Sequence, residues 1–453
     1  MGFFKDESLN GLADQGNVAQ FISYAPVAGG LPRQRFSRVA GYAPNHQFQS
    51  LPDAVDSLLR ASSEASINIR SFIPDDPRSK EFVYGLKSAD DVIRNMKRLA
   101  DAGLHLILNE TIDVADGGVS GVVQGGVIEF APDDTPRCVE KPGVASLPLS
   151  TGMQLLEIVY GFRPNLDPAP DERLEFSIHP RDRGWKQSKT LTWERERGVP
   201  AQTEPRMAWP NRFSRHIGDK AYGLLMAHES GCPVPRTLVI GRRIAPFAFG
   251  RDTGCIEVWT RTCPVTPQPG LYTTVKGWTD PFALLAKEDP ESTEIISVLS
   301  QAAVRARYSG AAIIGSDGEL IVEGRSGEGD RFMLGLDLPE TLPEAIVSDV
   351  HEIHSRLATP LGPVRFEWVH DGSQAWVLQL HRGATTSSGS ILVPGEPDVW
   401  ERIDATKPLD EIRAAVDGMD HDIGLILVGD VGLTSHIADV VRKAGRPARL
   451  EQV

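Results

Sequence analysis

The chain has 453 residues, of which 41% are hydrophobic and 24% are charged, and its formal net charge is −14. This acidic balance argues against non-specific binding to nucleic acid or to anionic membranes, because both need a basic face. No apolar stretch reaches the roughly 18 residues of a membrane span, and the start MGFFKDESLNG lacks the pattern of a signal peptide. The four cysteines form no C-x-x-C pair, which favours free thiols in a reducing compartment. We therefore predict a cytoplasmic protein of about three domains.

Polar, proline-rich stretches divide the chain into three predicted blocks. FRPNLDPAPDER and RERGVPAQTEPRMAWPN each hold three prolines, and HRGATTSSGS is a run of small polar residues. Such compositions are typical of turns and linkers. The predicted domains cover residues 1–200, 211–385 and 390–453.

The first two blocks share landmarks that recur at nearly one spacing. The offsets are 191, 189 and 192 residues for the pairs Arg70 and Arg261, Ser120 and Ser309, and Glu175 and Glu367. Each pair lies in a similar strand-like or hairpin-like segment. A shared offset of this kind predicts an ancient duplication of an α+β unit.

The second block carries Lys220 between the glycines of GDKAYG. Glycines let the backbone approach a ligand, and a lysine supplies a point charge for phosphate oxygens. When this segment is taken alone, a solvated surface lysine is the favoured explanation. Arg261, however, ends the predicted strand IEVWTRTC, and arginine grips a phosphate through two hydrogen bonds.

The segment FEWVHDGSQAWVLQLHR predicts a β-hairpin with DGSQ at its turn. This turn brings Glu367 and Gln379 to the same face of the two strands. A carboxylate beside an amide oxygen suits Mg²⁺, which usually arrives with nucleotide phosphates. The alternative is a solvent-exposed hairpin face with ordinary alternation.

In the third block, a strand in GLILVG precedes a predicted helix over about 436–444. Thr434 or Ser435 can cap this helix, which places His436 at its first turn. The positive end of the helix dipole lowers the proton affinity of an imidazole and stabilises an attached phosphoryl group. His436 is therefore a candidate nucleophile, with simple helix capping as the alternative.

Taken in order, these motifs resemble the phosphoenolpyruvate synthase and pyruvate phosphate dikinase family. GDKAYG with GCPVP, TRTC, SQAAVRARYSG, FEWV with LQLHR, and VGLTSHIADVVRKAGRPA follow the order of that family's motifs over residues 211–453. The resemblance implies an α+β, ATP-grasp-like fold with two related units, the first degenerate. A short swivelling domain carrying a phosphohistidine would follow.

The resemblance also implies roles for individual residues. ATP phosphates would contact Lys220 and Arg261, and Gln301 would lie in the segment that lines the adenine pocket. Glu367 and Gln379 would hold Mg²⁺, Arg382 would assist the transferring phosphates, and His436 would accept the phosphoryl group. The chain departs from the family at Asp219, at TRTC and at His381, where an arginine is expected.

The first block lacks a lysine at the position equivalent to Lys220, and Glu194 or Glu196 replaces the glutamine of the return strand. Two interpretations stay open for this block. It binds a different phosphorylated or cationic ligand, or it is a structural or allosteric partner that completes the nucleotide cleft.

Three functions follow as hypotheses from the sequence. The first is an ATP-dependent phosphotransferase that relays phosphate through His436 to an unknown acceptor, on this chain or on a partner chain; homo-oligomerisation is left open. The second is an ATP-grasp ligase that forms an acyl phosphate. The third is a non-catalytic nucleotide-binding or sensing protein on an inactive kinase scaffold. No segment of the chain matches a pyruvate-binding barrel.

Overall fold

The computed structural model describes residues 4–76, 78–136, 141–198, 204–266, 272–385, 387 and 389–451. The chain divides into two compact units, Met1–Ala208 and Trp209–Val453. Their boundary falls inside the proline-rich stretch that predicted a linker. Cys138 lies outside the described residues. Within the described ranges, no helix has the length and apolar character needed to cross a bilayer.

The first sheet of unit 1 is antiparallel, and two amphipathic helices cover one of its faces. Its elements are α1 (Lys5–Gln15), β1 (Phe21–Ala25), β2 (Arg33–Arg38), α2 (Leu51–Ala61), β3 (Ile67–Phe72), β4 (Ser79–Leu86), α3 (Ala89–Asp101) and β5 (His105–Glu110). The strand order is β2-β1-β5-β3-β4. Leu58 of α2 and Met96 of α3 are fully buried against Ile69 and Leu106 of the sheet. Helix α2 begins where the Ser50 side chain accepts a hydrogen bond from the Asp53 backbone N–H.

The second sheet of unit 1 is also antiparallel. Its elements are β6 (Val119–Gln124), β7 (Val127–Pro132), β8 (Ala145–Pro148), α4 (Leu149–Tyr160), β9 (Glu172–Arg183) and β10 (Ser188–Arg197). The strand order is β10-β9-β6-β7-β8.

Unit 2 starts with the same kind of antiparallel sheet. Its elements are α5 (Arg212–Ile217), α6 (Asp219–Glu229), β11 (Thr237–Gly241), β12 (Phe247–Phe249), β13 (Val258–Pro264), β14 (Thr274–Lys276), α7 (Pro281–Glu288) and β15 (Ile295–Ala302). A second sheet follows with β16 (Tyr308–Ile314), β17 (Leu320–Ser326), α8 (Asp330–Met333), α9 (Glu344–Leu361), β18 (Val364–His370) and β19 (Ala375–Arg382). The strand orders are β12-β11-β15-β13-β14 and β17-β16-β18-β19.

The last part of unit 2 forms a small α/β layer with its own core. Its elements are β20 (Ile391–Val393), β21 (Val399–Asp404), α10 (Leu409–Gly418), β22 (Ile423–Val428), α11 (His436–Lys443) and β23 (Ala448–Glu451). Strands β21, β22 and β23 are parallel, and β20 pairs antiparallel with β23. This layer corresponds to the block predicted after residue 390.

The two units repeat one topology, except that β8 of unit 1 has no counterpart in the second sheet of unit 2. The order β2-β1-β5-β3-β4 becomes β12-β11-β15-β13-β14, and β7-β6-β9-β10 becomes β17-β16-β18-β19. The register agrees as well, because Glu175 pairs with Glu194 across β9 and β10 as Glu367 pairs with Gln379 across β18 and β19. Glu194, and not Glu196, therefore occupies the glutamine position of the first unit. A bulge adjoins this pair in both units.

The repeated sheets share a glycine that the packing requires. A Cβ on Gly310 would overlap the carbonyl oxygen of Glu323 and lie 2.8 Å from the Trp368 ring, and Gly121 is similarly confined by Glu129 and Phe176. We expect Gly310→Ala to lower the free energy of unfolding of unit 2 by about 1–3 kcal/mol, because the added methyl overpacks the sheet. Urea denaturation followed by circular dichroism would measure this loss.

Gly11→Ala is the matched control for that substitution. Gly11 lies inside helix α1, and apart from its chain neighbours and the backbone of the helix itself no atom lies within 4 Å of the position that a methyl group would take there. Alanine should therefore stabilise the helix by about 0.5–1 kcal/mol. An unchanged midpoint for Gly310→Ala would contradict the packing argument.

Candidate functional site

Five of the predicted site residues line a single cavity of about 510 Å³ in unit 2. They are Lys220, Arg261, Glu367, Gln379 and His436. They come from α6, β13, β18, β19 and α11, so the two sheets and the C-terminal layer all contribute. Strand alternation turns the side chains of β18 and β19 toward the cavity at every second position.

The described lining is rich in cations for so acidic a chain. Five cationic and three carboxylate side chains face the cavity: Lys220, Arg261, Arg365, Arg442 and Lys443 against Asp330, Glu367 and Asp439. A surplus of positive charge inside a concave site attracts polyanionic ligands.

Lys220 lies in the first turn of helix α6, and the Gly-flanked turn predicted around it is wrong. Gly218 has φ +101° and precedes the helix, whereas Gly223 lies inside it. A side chain on Gly218 would lie 2.6 Å from the Cys263 sulfur, so glycine lets the helix start close to β13. The Lys220 Nζ donates to the Thr262 carbonyl oxygen at 3.1 Å. Burial lowers the pKa of its ammonium group.

Arg261 projects from β13 with unused hydrogen-bonding capacity. Its Nη1 donates to the Leu378 carbonyl oxygen at 3.3 Å, while its Nε is buried without a partner among the described residues. A buried guanidinium N–H without an acceptor is costly. An anionic oxygen in the cavity would remove that cost, which fits a nucleotide phosphate.

Glu367 and Gln379 are direct cross-strand neighbours, as the hairpin predicted. Gln379 also contacts His381, with 2.6 Å between Nε2 atoms, and burial lowers the pKa of His381 to about 3. His381 is therefore neutral near pH 7 and adds no charge where the family resemblance expected an arginine.

The cavity offers few protein ligands for a metal. No group of three or more His, Cys, Asp or Glu side chains in the described ranges could hold a metal ion. Glu367 and Gln379 do fit Mg²⁺, because this ion commonly takes one or two protein oxygens and completes its shell with phosphates and water.

Two predicted residues lie outside this cavity. Gln301 lines an adjoining cavity of about 110 Å³ together with the segment 302–306 that joins β15 to β16. Its Nε2 donates to the Leu378 carbonyl oxygen at 3.3 Å. Arg382 is exposed at the end of β19 and does not line either cavity, because it alternates to the face opposite Gln379.

His436 begins helix α11 and faces the cavity, as its motif predicted. The Ser435 side chain caps the helix by accepting a hydrogen bond from the Ala438 N–H at 3.3 Å. Burial lowers the pKa of His436, so the imidazole is neutral at pH 7. The preceding loop is held by Glu323, which accepts from Leu433 N, Thr434 N and Thr434 Oγ1 at 2.8–3.0 Å. The hydroxyl of Thr434 is thus already engaged.

Sequence reasoning missed a charged cluster at the α11 end of the cavity. Asp439 pairs with Arg365 and with Lys443, the latter at 3.2 Å. Burial alone would raise the pKa of Asp439, but Arg365 and Lys443 lower it below its usual value. The i,i+4 spacing of Asp439 and Lys443 was a readable signal. The partner from β18 was not, because it lies 74 residues away along the chain.

The corresponding face of unit 1 is filled by its own side chains. Glu175 forms an ion pair with Arg173 at 2.7 Å. Beside it, Asp116 contacts His179 at 3.0 Å, and His179 contacts Ser177 at 2.9 Å. Ser177 and His179 are buried, so this chain of hydrogen bonds is a structural network.

Comparisons with known proteins find low similarity to solved structures. No family model and no curated protein matches the chain. A D-alanine–D-alanine ligase from Bacillus anthracis in complex with ATP matches at 11% identity and a TM-score of 0.25, over 37% of this chain and 53% of that one. The D-cycloserine synthetase DcsG matches at 17% identity and a TM-score of 0.23, over 44% and 62%. A RimK domain ATP-grasp protein from Sphaerobacter thermophilus matches at 20% identity and a TM-score of 0.22, over 37% of this chain and 58% of that one.

The predicted α+β architecture, with two related units and a small α/β layer after the second, is confirmed, but the predicted family is wrong. No family model supports membership of the phosphoenolpyruvate synthase and dikinase family. The chain spans about half the length of the ligases it matches. The Gly-Lys turn that carried part of the resemblance is a helix start in this protein.

Proposed function

We propose that the chain is an ATP-dependent ligase that activates a carboxylate substrate as an acyl phosphate. The observation that carries this proposal is the convergence of Lys220, Arg261, Glu367 and Gln379 on one cationic cavity. A carboxylate oxygen attacks the γ-phosphorus, the bond to the β-phosphate oxygen breaks, and ADP leaves. A nucleophile then attacks the acyl carbon and releases phosphate.

The charged and polar side chains of the cavity have separate roles in this reaction. Lys220 and Arg261 hold the phosphates in line and neutralise charge that develops during transfer, which is the main requirement of phosphoryl transfer. Glu367 and Gln379 would hold Mg²⁺, which would supply further charge neutralisation on the phosphates. Arg365 and Lys443, at the α11 end, provide cations for the carboxylate substrate. Gln301 and the segment 302–306 line the smaller cavity, which suits the adenine base.

A phosphoryl relay through His436 is a second candidate function. One observation favours it: the neutral imidazole faces the same cavity as Lys220 and Glu367. The engagement of Thr434 by Glu323 weighs against it, because that hydroxyl is not available to a phosphoryl group.

Replacement of His436 by asparagine separates the two functions. The ligase predicts that His436→Asn keeps carboxylate-dependent ADP formation within about threefold, since the imidazole does not enter its chemistry. We would supply a panel of amino acids and peptides with ATP, Mg²⁺ and hydroxylamine, which traps an acyl phosphate as a hydroxamate. ADP and hydroxamate would be measured together.

The relay predicts a different pattern. The wild-type protein would carry acid-labile phosphate from labelled ATP without any carboxylate, and His436→Asn would carry none. That pattern, with no hydroxamate for any member of the panel, would overturn the ligase. If ATP binds but no ADP forms, with or without a carboxylate, the protein binds nucleotide without turnover.

A further inference from the structure

Unit 1 contains a polar cavity of about 220 Å³ that the proposed reaction does not use. It lies where the end of helix α1 and the segment around Asn165 and Asp167 meet strand β10. Leu12 is the single large apolar side chain of its described lining. A cavity with so little apolar surface suits a small hydrophilic ligand.

Two hydroxyl-bearing side chains of β10 line the floor of this cavity. Thr190 and Thr192 are only 6% and 8% exposed as residues. Their hydroxyl oxygens are not among the buried atoms without a partner, so they face the open volume of the cavity. Neither hydroxyl makes a hydrogen bond to another described residue, although the neighbouring Asn17 amide donates to three carbonyl groups and to Ser188. Each hydroxyl can therefore donate to or accept from a molecule in the cavity.

The rim carries two opposite charges. Asp167 is exposed on one wall, and Arg195 lines the cavity from β10. Arg195 is weakly paired, because its Nη1 lies 3.6 Å from Glu172, and its Nε is buried without a partner in the described chain. The C-terminal end of helix α1, at Gln15 and Gly16, adds partial negative charge. One wall thus favours an ammonium group and the other a carboxylate.

The repeated fold does not need this cavity. In unit 2 the corresponding helix α6 lies directly on β19, where a side chain on Gly223 would overlap the Leu380 carbonyl oxygen. This close contact shows that the shared topology does not require a cavity between the helix and the strand, and so accounts for neither the cavity of unit 1 nor its polar lining.

We propose that this cavity binds a small zwitterionic amino acid with a polar side chain. Its carboxylate pairs with Arg195, its ammonium group with Asp167, and its side chain bonds to Thr190 and Thr192. Binding at this position joins α1 to β10 and gives the first unit a ligand of its own. The proposal is independent of the proposed ligase reaction.

Isothermal titration calorimetry on the full chain tests this binding. The titrants are glycine, L-serine, L-threonine, L-asparagine and L-glutamine, and the substitutions below distinguish binding in this cavity from binding in the cavity of unit 2. We expect saturable binding with a Kd below about 1 mM for at least one of them. The methyl ester and the N-acetyl derivative of that amino acid should each bind at least about tenfold more weakly, since each lacks one charge.

Matched substitutions assign the binding to the cavity. Arg195→Gln and Asp167→Asn should each weaken binding at least about tenfold. Two control substitutions should leave the affinity for the amino acid unchanged. Arg197→Gln removes the other arginine that pairs with Glu172, and Asp171→Asn removes a carboxylate from the segment that carries Asp167. Absence of saturable binding for all five amino acids overturns the proposal, and so does equal weakening by the controls.

Discussion

Glu367→Gln is expected to lower Mg²⁺-dependent ATP turnover by about 10²-fold or more, because it removes the one carboxylate of the proposed metal site. The substitution keeps the size of the side chain and its place opposite Gln379. The loss should therefore appear in catalysis and in Mg²⁺-dependent ATP binding, with little change in the unfolding midpoint. Steady-state ADP formation at several Mg²⁺ concentrations, with calorimetric titration of ATP, would measure it.

The repeat supplies the control for this substitution. Glu175 holds the equivalent register position in unit 1, where it forms an ion pair with Arg173. Glu175→Gln should leave turnover within about twofold of the wild type. An equal loss of turnover in Glu367→Gln and Glu175→Gln would show that both carboxylates affect turnover through folding. The Mg²⁺ site would then lie elsewhere.

Lys220→Met is expected to lower turnover by about 10²–10³-fold, since it removes a phosphate-binding cation from a confined cavity. Lys220→Arg should fail to restore it, because the Nζ fits against the Thr262 carbonyl group beside Arg261, where a bulkier guanidinium has little room. ATP binding should weaken at least about tenfold in both variants, measured by calorimetry.

Lys287→Met tests whether the loss of a lysine elsewhere in unit 2 also lowers ATP binding and turnover. Lys287 is exposed on helix α7 and does not line the cavity. Its removal should leave ATP binding and turnover unchanged. If Lys220→Met keeps the ATP affinity and the turnover of the wild type, Lys220 does not act in phosphate binding as proposed.

Local patterns in the sequence were enough to predict the repeat and several of its strands and hairpins. Strand and hairpin signals depend on alternation within a few residues, so the offsets of Arg70 and Arg261 and of Glu175 and Glu367 were visible without a structure. The pairing of Glu367 with Gln379 followed from the length of one hairpin. His436 at the start of α11 followed from its capping residues.

Features that depend on chain segments far apart were decided only by the tertiary structure. Lys220 proved to start a helix because Gly218 packs against β13, about 45 residues further along the chain. The choice of Glu194 over Glu196 needed the bulge next to it, which shifts the register by one residue. The dikinase family was predicted from short motifs in order, and such motifs specify a shared fold more strongly than a reaction.

The sequence by itself determined the repeated α+β unit, the pairing of Glu367 with Gln379 and the place of His436 at the start of α11, because each depends on local strand, hairpin or capping signals. Three other features were decided only by the tertiary structure. They are the cluster of Arg365, Asp439 and Lys443, the hydrogen bonds of Glu323 to the loop before His436, and the polar cavity beside α1. Each joins elements separated by tens to more than a hundred residues. Contacts over such separations depend on packing geometry, which local periodicity does not encode.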